Sequence, residues 1–225
     1  MNIDPSLEPD NYIITRKRKL YKFASFARLA NCYSETKWQE AKQSILHNSL
    51  PLTLEVGAGD GLFLTKLAEA HPERQFIALD RKSDRLYRGA KLANESKLTN
   101  ILYLWSNADN LRRLLPDQLI RTIWLTFPDP WPQESNIKHR LTNRQHLLSY
   151  HQLLAPNGQL KLKTDNDNLF DWSVQQFTME KWQIDRISHD LYGDKIAGDT
   201  TVKTTYEERY LAEGKKINYL AAGKI

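Results

Sequence analysis

Five apolar runs, each closing on or just before an acidic residue and each followed by a helical pattern, constrain this chain more than any other feature. The runs are 52–56, 75–79, 101–105, 121–127 and 159–164, and the acids are Glu55, Asp80, Asp109, Asp129 and Asp165. Short buried-strand patterns alternating with helices imply a mostly parallel, doubly wound α/β sheet with right-handed crossovers. Such sheets bind ligands at the carboxyl ends of their strands. One acid at such a place can be a helix cap; five in equivalent places point to a binding edge. The helical patterns are expected over about 34–47, 62–70, 83–95, 111–115, 141–154 and 168–178, with a last strand over 182–188.

The first strand breaks into the turn Gly57-Ala58-Gly59-Asp60-Gly61, where glycines let backbone approach a ligand and open a helix. The dinucleotide fingerprint G-x-G-x-x-G fits at Gly57 and Gly59, but its third glycine falls on Leu62, and Gly61 comes one residue early. Carboxylates at Glu55 and Asp60 would repel a pyrophosphate and attract a cation. S-adenosylmethionine carries an ammonium and a sulfonium and no phosphate, so it suits this loop better than a nicotinamide dinucleotide. On that reading Glu55 lies near the methionine ammonium, Asp80 takes the ribose hydroxyls, and Asn107-Ala108-Asp109 flanks the adenine.

Composition narrows the partners. The 225 residues carry 32 basic and 27 acidic side chains, a formal charge of +5, which favours a polyanion such as nucleic acid or leaves merely a basic soluble protein. The cluster Arg16-Lys17-Arg18-Lys19, with Tyr21 and Phe23 interleaved, reads either as a solvated arm or as a grip on phosphates and a base. A single cysteine, Cys32, excludes an intrachain disulfide and a multi-thiolate zinc site. No His/Cys cluster has ligand spacing, so no catalytic metal is expected; His139 and His146 are expected on a solvated helix face and His189 at the surface. No run reaches the roughly 20 apolar residues of a membrane span, and the opening residues lack a signal-peptide pattern. The expectation is a cytoplasmic protein without membrane partners, monomer or homodimer.

The string Phe-Pro-Asp-Pro-Trp-Pro at 127–132 stiffens the loop after the fourth strand and presents Asp129 and Trp131 at the ligand edge. With it, the chain resembles the bacterial tRNA (guanine-N7-)-methyltransferases. The matching segments are LEVGAGDG (54–61), LD (79–80), FPDPWP (127–132), KTDN (163–166) and TTYEERY (204–210) with Gly214. The resemblance implies a Rossmann-like class I methyltransferase fold with a seven-stranded sheet, spanning 34–225 behind a partly flexible basic arm at 1–33. It implies transfer from S-adenosylmethionine to N7 of a guanine in the tRNA variable loop. Carried over residue by residue, it assigns Glu55, Gly57, Gly59, Asp80, Asn107, Ala108, Asp109 and Asp129 to the cofactor. It assigns Gln133, Asp165, Thr204, Glu207 and Arg209 to the substrate, and Asp129 to catalysis. Lys138 and Arg140, with Arg16, Lys17, Arg18 and Lys19, are the expected RNA contacts.

One stretch departs from the family. The residues after the proline string are QESNIKHR (133–140), with Gln133, Asn136 and His139 where the family carries lysine, histidine and arginine. That leaves room for a diverged methyltransferase acting on another RNA or a small molecule, or for a non-catalytic RNA-binding protein of the same fold.

Overall fold

The computed structural model describes residues 17–47 and 50–224, the first four as backbone only. The chain forms two compact units, Met1–Asn110 and Leu111–Ile225.

The first unit carries α1 (Lys17–Arg28), β1 (Cys32–Ser34), α2 (Glu35–Ile45), β2 (Leu52–Val56), α3 (Leu62–Ala70), β3 (Gln75–Asp80), α4 (Ser83–Glu95) and β4 (Ile101–Trp105). Its strands lie in the order β1-β4-β3-β2, and the three pairings within it are parallel. Register sets the strand ends level: Val56 faces Leu79, Asp80 faces Trp105, and Ser34 faces Trp105 from the other side. The loops after these strands therefore open on one edge. Every residue of β2 is buried, as a strand covered on both faces requires.

The basic segment at the start belongs to a helix. Phe23 (8% exposed) and Phe26 (2%) sit in the core, and α1 packs on α4. Burying a phenylalanine contributes about 1.5–3 kcal/mol, enough for two of them to dock a short helix. Phe23 meets the Trp105 ring edge-on at 5.5 Å, so it is a packing residue and not a free platform for a base. Tyr21 stays exposed beside Tyr87. Arg16 lies outside the described residues.

The second unit carries α5 (Leu111–Leu114), β5 (Ile120–Thr126), α6 (Arg144–Leu153), β6 (Leu154–Thr164), α7 (Asp167–Met179), β7 (Gln183–Ser188), α8 (Thr205–Ala212) and β8 (Asn218–Gly223). Its order is β5-β6-β8-β7: the first pair parallel, the other two antiparallel. The ends of β5 and β6 are level at Thr126 and Lys163, and Thr164 faces Asn218 at the start of β8. Eight strands are thus described where seven were expected. The α/β alternation holds, including every strand read from the sequence. The expected solvated position of His146 does not hold: it is 4% exposed and stacks on Tyr150 one helical turn on, at 6.0 Å.

Candidate active-site residues

In the first unit the glycine turn is held from below by the strand beside it. The N–H groups of Gly57 and Ala58 both donate to the Leu79 carbonyl, at 2.9 and 3.0 Å. Gly59 N–H donates to Asp80 Oδ2 at 2.9 Å, and Lys82 N–H to Asp80 Oδ1 at 2.8 Å. Asp80 therefore shapes the loop as well as ending β3. Its carboxyl is 7% exposed; burial raises its pKa, and the two N–H donors pull part of that back. Each carboxylate oxygen accepts more than one hydrogen bond, so Asp80 retains capacity for a ligand hydroxyl. Asp60 is also committed locally: its Oδ1 accepts from Leu62 N–H at 3.2 Å and its Oδ2 meets Arg88 at 3.2 Å.

The glycines of this turn do two different jobs. Gly59 has φ +57°, and a Cβ there would meet nothing within 4 Å: the backbone faces open space. Gly61 has φ +70°, and a Cβ there would sit 2.8 Å from the Tyr103 ring. The first leaves room for a ligand over the loop, and the second lets α3 start against β4. The donor set at this edge is acidic: Glu55 is fully buried at the end of β2, Asp80 ends β3, and Asp109 is exposed beyond β4. Acids around an open glycine turn fit S-adenosylmethionine's ammonium and ribose hydroxyls, and oppose a pyrophosphate.

The loop after β4 has a brace that sequence reading missed. Ser106 Oγ and Asn110 Nδ2 (2.7 Å) both donate to Glu35 Oε1, in the first turn of α2. Between those anchors Asn107 donates to Asp109 at 2.9 Å, and Ala108 is buried. A glutamate just after a capping serine gave no sign in sequence that it faces a loop 70 residues away.

In the second unit the proline loop follows β5. Phe127 N–H donates to the Lys163 carbonyl at 2.8 Å, and Asp129 is exposed. Phe127 and Trp131 both lie in the left-handed region, at φ +48° and +42°. For such side chains that conformation costs about 1–3 kcal/mol each and persists only where surroundings impose it. Asp165, after β6, is half-buried with Lys215 Nζ at 3.4 Å. Gln133 is exposed and accepts from Asn136 at 3.1 Å; Lys138 is exposed.

Four expected contacts have other partners here. Thr204 caps α8: its hydroxyl accepts from Glu207 N–H at 2.9 Å, while Glu207 Oε2 accepts from Thr204 N–H at 3.1 Å. Glu207 is 0% exposed, and its carboxylate binds Lys163 Nζ at 3.0 and 3.2 Å and the Tyr192 hydroxyl at 2.7 Å. Burial and this bond push the Tyr192 phenol well above its ordinary pKa. Arg209 is exposed and paired with Glu213 at 2.9 Å, one turn along α8. Arg140, expected on RNA, is 8% exposed with its guanidinium turned inward. Lysine inside the apolar run of β6, at 161 and again at 163, was the available signal for a buried pair, and it did not say which of the two turns inward.

Known proteins place this geometry. The protein-family description "Putative methyltransferase" matches residues 49–220. A tRNA (guanine-N(7)-)-methyltransferase of Brevibacillus brevis is 39% identical over 178 residues, 79% of this chain and 83% of that relative. The chain belongs to the tRNA (guanine-N(7)-)-methyltransferase family. A second relative of the same name, from Cytophaga hutchinsonii, is 37% identical over 82% of this chain and 83% of its own length. Among solved structures, an antibiotic-related methyltransferase covers 83% of this chain and 94% of its own, at TM-score 0.63 and 16% identity. The 16S rRNA methyltransferase KamB covers 81% and 92%, at TM-score 0.61 and 18% identity. At such identities the likeness concerns the fold, and it gives the family member described here a Rossmann-like methyltransferase fold. No group of three or more potential metal ligands occurs among the described residues, and no helix there is long and apolar enough to cross a membrane.

Proposed function

We propose that this chain transfers a methyl group from S-adenosylmethionine to N7 of a guanine in tRNA. The observation that carries the proposal is the open glycine turn at 57–61, tied to a buried Asp80 and ringed by acids, in a chain 39% identical to a named tRNA (guanine-N(7)-)-methyltransferase. When bound, the cofactor supplies an electrophilic methyl group on a sulfonium. Glu55 would face its ammonium, Asp80 its ribose hydroxyls, and Asn107, Ala108 and Asp109 its adenine.

Guanine N7 carries a lone pair and no proton. Bond formation to the methyl carbon, with cleavage of the carbon–sulfur bond, therefore requires no base, and the purine ring becomes cationic. The chain's contribution is alignment and negative charge around that ring. Asp129 and Asp165 suit this role, because a carboxylate accepts from the guanine N1–H and exocyclic amine. Asp129 is the proposed catalytic acid residue in the sense of a charge-bearing group, not a proton donor. Thr204 and Glu207 act by fixing the start of α8 rather than by touching the base. Lys138, with Arg16, Lys17, Arg18 and Lys19, is the proposed contact with tRNA phosphates. N7 often lies in tertiary contacts of tRNA, so the base must be exposed before transfer.

The test is incubation with unmodified tRNA and tritiated S-adenosylmethionine, followed by nucleoside mapping. 7-Methylguanosine in the variable loop is the expected product. Label in another nucleoside or only in small molecules would favour the diverged reading that Gln133 and Asn136 leave open. Failure to bind S-adenosylmethionine by calorimetry would favour a non-catalytic RNA-binding protein.

A further inference from the structure

Arg140 closes the basic stretch after the proline loop, where a tRNA grip is the natural reading. Its geometry contradicts that use. The side chain is 8% exposed, and its guanidinium points back under the loop. Nε donates to the Pro130 carbonyl at 2.9 Å and Nη2 to the Trp131 carbonyl at 3.1 Å. The guanidinium carbon lies 4.4 Å above the Trp172 ring of α7. Arg140 makes no ion pair with a carboxylate among the described residues, and burial lowers its pKa from the ordinary guanidinium value. Two carbonyls and a ring face stabilise the charge instead.

These contacts fall where the backbone needs them. The loop between β5 and the 3-10 turn at Glu134–His139 is bounded by Phe127 and Trp131, two large residues in left-handed conformations. Phe127 is held by its bond to Lys163 at the sheet end. Trp131 has the Arg140 bond to its carbonyl and the His139 ring at 5.2 Å. Pro128, Pro130 and Pro132 have no N–H, so this backbone offers few donors and is grasped chiefly through its carbonyls. A planar fork reaching two successive carbonyls is something lysine does not reproduce.

We infer that Arg140 is a positioning residue: it pins the strained loop through the Pro130 and Trp131 carbonyls and so fixes Asp129, instead of binding tRNA. The inference rests on the reading of Asp129 as the group that meets the reacting guanine. Asp129 directly precedes one of the clamped carbonyls, so a loosened loop misplaces its carboxylate while the tRNA-facing surface is unchanged.

The experiment compares Arg140→Lys and Arg140→Met, which keeps stem packing on Trp172, with Asp129→Ala and the unaltered full chain. Single-turnover methylation at saturating tRNA and cofactor should fall about 10- to 100-fold in both Arg140 variants. The tRNA Kd and the slope of its logarithm against salt should stay within twofold of the unaltered protein. Loop order is read without catalysis, from the 19F resonance of 5-fluorotryptophan at Trp131, assigned by Trp131→Phe; broadening or splitting is expected in Arg140→Met. Weakened tRNA binding with a shallower salt slope and an unchanged saturating rate would make Arg140 a phosphate contact and overturn the inference. An unchanged 19F signal in both variants would overturn it too, even if neither folds less well. Normal turnover in Asp129→Ala, with a disturbed 19F signal in the Arg140 variants, would remove the role of Asp129 and leave the clamp standing.

Discussion

Lys163 and Glu207 offer the sharpest test of how the second unit is held together. Both side chains are 0% exposed. Lys163 Nζ meets both carboxylate oxygens, donates to the Thr200 and Val202 carbonyls at 2.8 and 3.1 Å, and lies 5.7 Å from the Trp124 ring centre. The pair thus ties β6 to the segment leading into α8. Removing one member leaves the other charge buried without its counterion, at a cost of about 3–5 kcal/mol. Lys163→Met and Glu207→Gln should each lose that much; glutamine can still serve the capping box, so the loss in the second reports the charge. For a chain of this size each kcal/mol is worth roughly 2–4 °C, so each single variant should melt roughly 6–20 °C lower. The double variant buries no charge and forfeits mainly the lysine's bonds to two carbonyls, about 1 kcal/mol each. Its loss should fall short of the sum of the singles by about 4 kcal/mol or more. Urea unfolding followed by tryptophan fluorescence and far-UV circular dichroism measures all four proteins. Losses that add to within about 0.5 kcal/mol, or single losses below about 1 kcal/mol, would refute the reasoning.

Three further outcomes follow from the same contacts. Asp129→Ala should abolish methyl transfer while leaving the melting temperature within a degree or two, because the residue is exposed on its loop; a near-normal rate would end its catalytic assignment. Cofactor affinity should drop as pH falls, starting above the ordinary aspartate range near 3.9, because burial raises the pKa of Asp80 and a protonated carboxyl loses an acceptor for the Gly59 or Lys82 N–H. Calorimetry across pH 4–7 on the wild type and Asp80→Asn measures it, and an equal slope in both would contradict the cause. Cys32, 1% exposed and with its thiol pushed far above the ordinary range by burial, should react with Ellman's reagent only as the first unit opens; rapid labelling of the native chain would count against its position in β1.

The sheet was legible in the sequence where strand residues are buried on both faces, because β2, β3 and the middle of β5 then read as short, mostly apolar stretches. The glycine turn and the acids at strand ends were legible for the same reason: they interrupt those runs. β1 escaped notice because three residues, Cys-Tyr-Ser, carry no period. α1 escaped because charge dominates its composition while two phenylalanines do the docking. Site chemistry was harder to read than site location. A sequence shows that Glu207 and Arg140 are charged but not which way they face, and in both the charge turns inward to satisfy backbone and a buried partner or ring. Glu35 was invisible, since what it braces is far away in the chain.

The inward turn of one arginine divides the segment 133–140 into two populations. Gln133, Lys138 and His139 face solvent, and the residue at 140 does not. Outward positions are therefore free to be recharged without touching the anchor. Installing a lysine at 133 would amount to retuning the protein's adhesion to polyanions, on a dial separate from the one that sets its turnover.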